Sequence, residues 1–210
     1  MKKVCVLDYG IGNVKSLCNA LSNFNVNIIL TSKHNDILSS DYLILPGVGA
    51  FKNAMDKLRA LELDYIVNEF VKSGKPFLGI CVGMQVLFEN SEEFGFSNGL
   101  GLIKGDVKKI KPNKSNVKLP NIGWNKLISK NNAIWNNSIL EKINKNDFVY
   151  FIHSFSCNPK FQKEILANII YEELELCAAI QKENITGVQF HPEKSGPVGL
   201  KILNQFIKSK

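Results

Sequence analysis

The chain has 210 residues, 45% hydrophobic and 21% charged, with a formal net charge of +7. That suits one globular domain of good size, or at most two small ones, and excludes disordered and fibrous classes. The positive charge is nearly all lysine, with Arg59 the only arginine, and the densest cluster (Lys104 to Lys118, including Lys108, Lys109, Lys111 and Lys114) has no interleaved aromatics, so no nucleic-acid partner is expected.

No segment approaches the roughly 18–20 apolar residues of a membrane helix. The start, Met-Lys-Lys-Val-Cys-Val-Leu-Asp, lacks the long apolar core and small-residue cleavage site of a signal peptide. A cytoplasmic location with no membrane partner is the expectation.

In chain order, apolar β-branched runs at Val4–Leu7, Val26–Leu30, Tyr42–Leu45 and Pro76–Ile80 predict strands. Amphipathic stretches at Asn13–Phe24 and Phe51–Lys72 predict helices between them. Such alternation is the pattern of a parallel sheet with helices on both faces. Beyond Leu100 the pattern changes to shorter strands at Leu102–Ile110, Trp124–Ile128, Phe148–Ser156, Ala167–Tyr171, Ala178–Lys182 and Gly187–Phe190, with a closing helix over Val198–Lys208. The expected fold class is therefore α/β: an open, mixed, mostly parallel sheet with antiparallel additions, over a single domain spanning 1–210.

In such sheets functional residues gather at the carboxyl ends of strands. Four loops fall there: Asp8–Asn13, Pro46–Gly49, the Cys81 turn and the loop carrying His191. The first, with Gly10 and Gly12, lacks the third glycine and the acidic residue of a dinucleotide fingerprint. No cofactor is expected.

Residues 79–85 read Gly-Ile-Cys-Val-Gly-Met-Gln, and His191-Pro192-Glu193 follows far downstream. A cysteine between glycines where a strand turns into a helix, together with a distant His and carboxylate, is the inventory of an activated thiol nucleophile. The helix is expected to start near Met84, its N-terminus favouring a thiolate. Extended backbone at His191–Glu193 is expected to point both side chains the same way. The remaining cysteines, Cys5, Cys18, Cys157 and Cys177, are scattered, with no CxxC pair, so neither a disulfide framework nor a metal site is indicated.

GICVGMQ with HPE resembles the class I glutamine amidotransferases, which hydrolyse glutamine with a Cys-His-Glu triad and pass ammonia to a synthase. DYGIGN, LPGVGAF, PNIGWN, YFIHSF and GVQFHPEKS are similar to the glutaminase subunits of imidazole glycerol phosphate synthases. The resemblance runs from Val4 to about Phe206. It implies a flavodoxin-like fold, L-glutamine as substrate and a separate (β/α)8 cyclase subunit as heterodimer partner in histidine biosynthesis.

By this resemblance Cys81 is the nucleophile, His191 the acid–base and Glu193 its orienting partner. The backbone N–H groups of Val82 and Val48 form the oxyanion hole. Gly49, Gln85, Glu93, Ser154 and Phe155 bind the substrate, with Glu93 on its α-amino group. Asn13, Trp124, Tyr150, His153 and Lys194 face the partner subunit or the ammonia path, although His153 also reads as a hydrogen-bonded histidine at a strand end. One departure stands out: the family's usual Pro-His-[Met/Ile]-Gly-Trp-Asn is here Pro120-Asn121-Ile122-Gly123-Trp124-Asn125. Two other readings stay open, a paralogous glutaminase subunit supplying ammonia for a bacterial surface sugar and a stand-alone γ-glutamyl thiol hydrolase.

Overall fold

The computed structural model describes residues 1–112, 117–129, 135–144 and 146–209; Lys114 of the lysine cluster lies outside them. The first half alternates as its pattern dictates: β1 (Lys2–Leu7), α1 (Val14–Leu21), β2 (Val26–Thr31), α2 (His34–Leu38), β3 (Tyr42–Leu45), α3 (Phe51–Ala60), α4 (Leu63–Lys72), β4 (Phe77–Ile80) and α5 (Val82–Gln85). β1 lies between β2 and β3, parallel to both, and β4 lies parallel to β3. The step from β1 to β2 runs one way across the sheet and the steps to β3 and β4 run the other. Right-handed crossovers then require α1 on one face and α2, α3 and α4 on the other.

The stretch at residues 51–72 forms two helices, where one was expected. α3 buries Phe51, Ala54, Met55 and Leu58, whereas α4 buries Leu63, Ile66, Val67 and Phe70. Those two stripes are out of phase for an unbroken helix, which would carry Glu62 and Tyr65 into the core. Leu61 and Glu62 (φ +55) reset the phase.

The second half supplies β5 (Asn90–Ser91), β6 (Ser97–Asn98), β7 (Gly105–Lys109), β8 (Asn121–Lys126), β9 (Phe148–His153), β10 (Phe155–Pro159), β11 (Ile165–Tyr171), β12 (Leu174–Lys182), β13 (Ile185–Val188) and α6 (Gly196–Phe206). β13 enters the main sheet beside β4, parallel to it, and β12 and β11 extend that edge antiparallel. The seven-strand order is β11-β12-β13-β4-β3-β1-β2, a mixed, mostly parallel sheet.

The run expected as one strand at Phe148–Ser156 breaks at Ser154 because its halves join different sheets. β9 pairs with β8, and β10 pairs with β7. Apolar packing holds the layers together, with Phe51, Phe70, Phe77, Phe88, Phe151, Phe190 and Phe206 all buried, each worth about 1.5–3 kcal/mol of transfer free energy. Among the described residues no helix is long and apolar enough to cross a membrane.

The strand order decides where chemistry can collect. β4, which ends just before Cys81, is flanked by β3, which leads into Pro46–Gly49, and by β13, which leads toward His191. Three segments remote in sequence thereby meet at one edge of the sheet.

Candidate active site

Cys81 follows β4 directly and adopts φ +56, ψ −112, a conformation costly to a residue with a Cβ. Three backbone hydrogen bonds hold it. Its N–H donates to Val188 O at 2.7 Å, and its carbonyl accepts from the N–H groups of Met84 at 3.0 Å and Gln85 at 3.1 Å. The turn packs so tightly on β3 that a Cβ at Gly83 would lie 1.9 Å from Leu45 O. Close backbone approach, more than backbone angle, demands glycine there.

α5 begins at Val82, earlier than the expected Met84, and is a single turn of 4 residues. So short a helix has little macrodipole to offer the thiol. Burial pushes the Cys5 and Cys177 thiols up to about 12 and Cys157 well above its ordinary value. These three are core thiols, inert at neutral pH.

His191 is extended, but Glu193 lies in a 3-10 turn over Pro192–Lys194. The pair therefore meets across a turn, not along the extended strand expected from the sequence. Nδ1 of His191 lies 2.8 Å from Glu193 Oε1, and both side chains are buried. A carboxylate only accepts, so Nδ1 carries the proton and donates. Nε2 is left without a hydrogen-bond partner. Burial opposes charge on this ring, but the Cys81 sulfur and the Glu193 carboxylate outweigh it and lift the imidazole to about 10. Both neighbours thus favour the imidazolium over the neutral ring, and an imidazolium is the partner that favours a thiolate.

The loop is anchored by its backbone: His191 N–H donates to Tyr150 O at 2.9 Å. Ser195 Oγ donates to His191 O at 2.7 Å and accepts from Tyr150 N–H at 3.0 Å.

A cavity of about 180 Å³ opens between these elements. Its wall contains Cys81, Val82 and His191, the expected hole residues Val48 and Val82, and the expected substrate residues Gly49, Gln85, Glu93, Ser154 and Phe155. His153 and Lys194 also line it. Glu93 Oε2 accepts from Phe51 N–H at 2.7 Å, and burial raises this carboxyl despite that bond. A larger cavity of about 450 Å³ at the amino ends of β4 and β13 is lined by Asn137, Gln181, Asn184 and Gln205 and has neither a thiol nor a histidine.

The expected interface residues divide. Trp124 is 53% exposed and meets Tyr150 edge-on at 5.8 Å, and Lys194 Nζ lies over the Tyr150 ring. Ile122, Trp124 and Lys126 of β8, with Phe148, Tyr150 and Ile152 of β9, form one apolar, aromatic face. Asn13 is not part of that face; it lines a small cleft with Pro46, Val48, His191 and Glu193.

His153 is buried rather than on the exposed face, because successive residues of β9 alternate between faces. Its Nδ1 donates to Phe155 O at 2.8 Å, and its Nε2 accepts from Asn121 Nδ2 at 3.0 Å. Burial, followed by nearby His191, holds this ring down to about 4 against the bond to Phe155. It is neutral at neutral pH. Asn121, where the family pattern has histidine, thus serves as a donor to His153.

Three further residues, outside the expected set, complete the site. Tyr9 Oη donates to Pro46 O at 2.7 Å and braces the glycine loop. Ser195 links His191 to β9. Gln189 places its amide Nε2 3.6 Å from Cys81 Sγ. Its position two residues before His191, at the end of the strand beside β4, was the available signal. Among the described residues no cluster of His, Cys, Asp or Glu is arranged to hold a metal.

The model of the family "Glutamine amidotransferase class-I" matches residues 5–209. The chain is 44% identical, over 99% of its length and 100% of the relative's, to the imidazole glycerol phosphate synthase subunit HisH 1 of Legionella pneumophila (strain Lens). It is 44% identical to the HisH subunit of Oceanobacillus iheyensis, covering 97% of both chains, and 43% identical to that of Prochlorococcus marinus subsp. pastoris, covering 100% of this chain and 99% of the relative. Among solved structures, the fold is similar to a crystal structure of glutamine amidotransferase (TM-score 0.73, 17% identity, 98% and 97% of the two chains). It is equally similar to PurLQS from Thermotoga maritima (TM-score 0.73, 19% identity, 99% and 98%). With a family match over nearly its whole length and relatives this similar, the chain belongs to the class-I glutamine amidotransferases and, within them, to the HisH family.

Proposed function

We propose that this chain is the glutaminase subunit of an imidazole glycerol phosphate synthase, hydrolysing L-glutamine and delivering ammonia to a (β/α)8 cyclase subunit in the cytoplasm. The observation that carries it is the convergence of Cys81 and the His191–Glu193 pair on one small cavity, in a chain that matches HisH subunits from end to end.

The Cys81 thiolate attacks the side-chain amide carbon of glutamine. The N–H groups of Val82 and Val48 take the developing oxyanion, each such donor being worth about 3–4 kcal/mol where measured in a hydrolase. The His191 imidazolium gives its Nε2 proton to the departing nitrogen, the C–N bond breaks, and ammonia leaves a γ-glutamyl thioester. His191, now neutral, takes a proton from water. The resulting hydroxide attacks the thioester, glutamate departs, and the thiolate–imidazolium pair is restored. Glu193 keeps the ring in the tautomer that presents Nε2 to the cavity. Glu93 holds the substrate's ammonium, and Ser154 and Phe155 offer backbone groups.

The β8–β9 face supports docking of a separate subunit. Its exposed Trp124 and half-buried Tyr150 are the residue types that anchor interfaces, and the Tyr150 backbone is bonded to the His191 loop. The test is glutamine hydrolysis by the chain alone, with the cyclase, and with the cyclase plus its ribonucleotide substrate. Strong stimulation by cyclase plus ribonucleotide, lost in Cys81→Ala, is the expected result. Hydrolysis indifferent to both would overturn the assignment and favour another acceptor, such as a sugar, or a stand-alone hydrolase.

A further inference from the structure

Gln189 is fully buried and follows directly on β13. Val188 O takes the Cys81 N–H, so the next residue along is laid beside the nucleophile. The side chain of Gln189 bridges two groups. Its Oε1 is 3.0 Å from Gln85 Nε2, and its Nε2 is 3.6 Å from Cys81 Sγ.

Which end of the Gln189 amide meets the sulfur follows from one backbone atom. Gln85 Nε2 is also 3.3 Å from Phe155 O. A carbonyl oxygen only accepts, so Gln85 must turn its NH2 that way, with its second N–H directed to Gln189. Gln189 must answer with its oxygen, and its own NH2 is then the end that faces Sγ. Reversing it would set the NH2 groups of Gln85 and Gln189 against each other. The same Phe155 carbonyl takes the Nδ1–H of His153, whose Nε2 accepts from Asn121, whose Oδ1 accepts from Asn125 Nδ2 at 3.3 Å. Every bond in the chain from β8 to the sulfur is consistent with that single anchor.

We infer that Gln189 is a positioning residue for the nucleophile: its amide donates to the Cys81 sulfur and favours the ionised, attacking form, in the orientation set by the Phe155 carbonyl through Gln85. A donor to sulfur stabilises the anion more than the thiol. The inference rests on the reading of Cys81 as nucleophile.

The test is the pH dependence of Cys81 alkylation by iodoacetamide in the full chain, followed by the mass of the peptide that carries Cys81. It requires no glutamine turnover. Gln189→Met fills similar space without a donor, and Gln189→Glu is nearly isosteric but sets a carboxylate against the sulfur. Gln189→Met is expected to move the alkylation midpoint up by about one pH unit, with an about tenfold lower rate near neutral pH. Gln189→Glu moves it further the same way, and circular dichroism reports the fold retained. A profile of either folded variant superimposable on that of the natural chain overturns the inference. A natural Cys81 no more reactive at neutral pH than the half-buried Cys18 overturns the nucleophile reading instead, so the two failures are distinguishable.

Discussion

The Glu193 carboxylate lies 2.8 Å from His191 Nδ1, with only 2% and 4% of the two side chains exposed, His191 first. Water therefore does little to screen the carboxylate from the ring, and the pair acts as one unit.

Replacing Glu193 by Gln keeps the shape and removes the charge. Glutamine turnover with partner present is expected to fall about a hundredfold or more, as removal of the orienting group does in comparable triads. His191 is raised to about 10 in part by Glu193, so its imidazolium form will be lost at lower pH in the variant. The alkaline limb of the pH–rate profile should move down, and an unmoved limb would show that Glu193 does not act through the ring.

The buried, neutral His153 makes stability depend on pH. Its folded value near 4 lies below the ordinary 6.5, so the unfolded chain binds more protons between those values. Its contribution is present above pH 6.5 and is lost as the pH falls toward 4, by on the order of 3 kcal/mol in all. Urea unfolding across that window should show a flatter pH dependence for His153→Gln than for the natural chain. Asn121→Asp replaces a donor to Nε2 by an acceptor and should raise the His153 value, read from the imidazole proton shifts by NMR.

At Gly83 the obstacle to a side chain is the Leu45 carbonyl, 1.9 Å from an added Cβ. Backbone in a central strand cannot move aside, and overpacking of this kind costs about 3 kcal/mol or more. Gly83→Ala should lower the urea midpoint sharply. Gly74→Ala, where nothing lies within 4 Å and only the φ of +78 resists, should cost about 1–2 kcal/mol. Equal effects would mean that the Leu45 carbonyl yields to the added methyl and that close approach does not fix glycine at the elbow.

Trp124→Ala removes the most exposed aromatic of the β8–β9 face. The dissociation constant for the cyclase subunit should rise about tenfold or more, with little change in the unfolding midpoint of the isolated chain. Unchanged affinity would place the interface elsewhere.

Much of this was legible in the sequence because the signals are periodic or local. The runs at Tyr42–Leu45 and Phe77–Ile80 are wholly apolar, as strands buried on both faces must be. The glycines around Cys81 mark the elbow in the same way. The break between α3 and α4 was hidden, since Leu61-Glu62 carries no proline or glycine and only the phase of the buried stripe reveals it. The split at Ser154 depends on which sheet each half joins, a nonlocal fact. Gln189 and Asn121 were missed or half-read for a related reason: an amide announces no chemistry until its partners are known. The turn over Pro192–Lys194 reaches the expected His191–Glu193 pairing by a different backbone route.

The central claim is that Cys81 attacks the amide carbon of bound glutamine, and a diazo-ketone analogue of glutamine tests it directly. After incubation with the analogue, the digested chain should carry one added label, on the peptide containing Cys81. Excess glutamine should protect that peptide, and His191→Ala should slow the labelling. A label on Cys18 or another cysteine, or a Cys81 peptide of unchanged mass, would contradict the account.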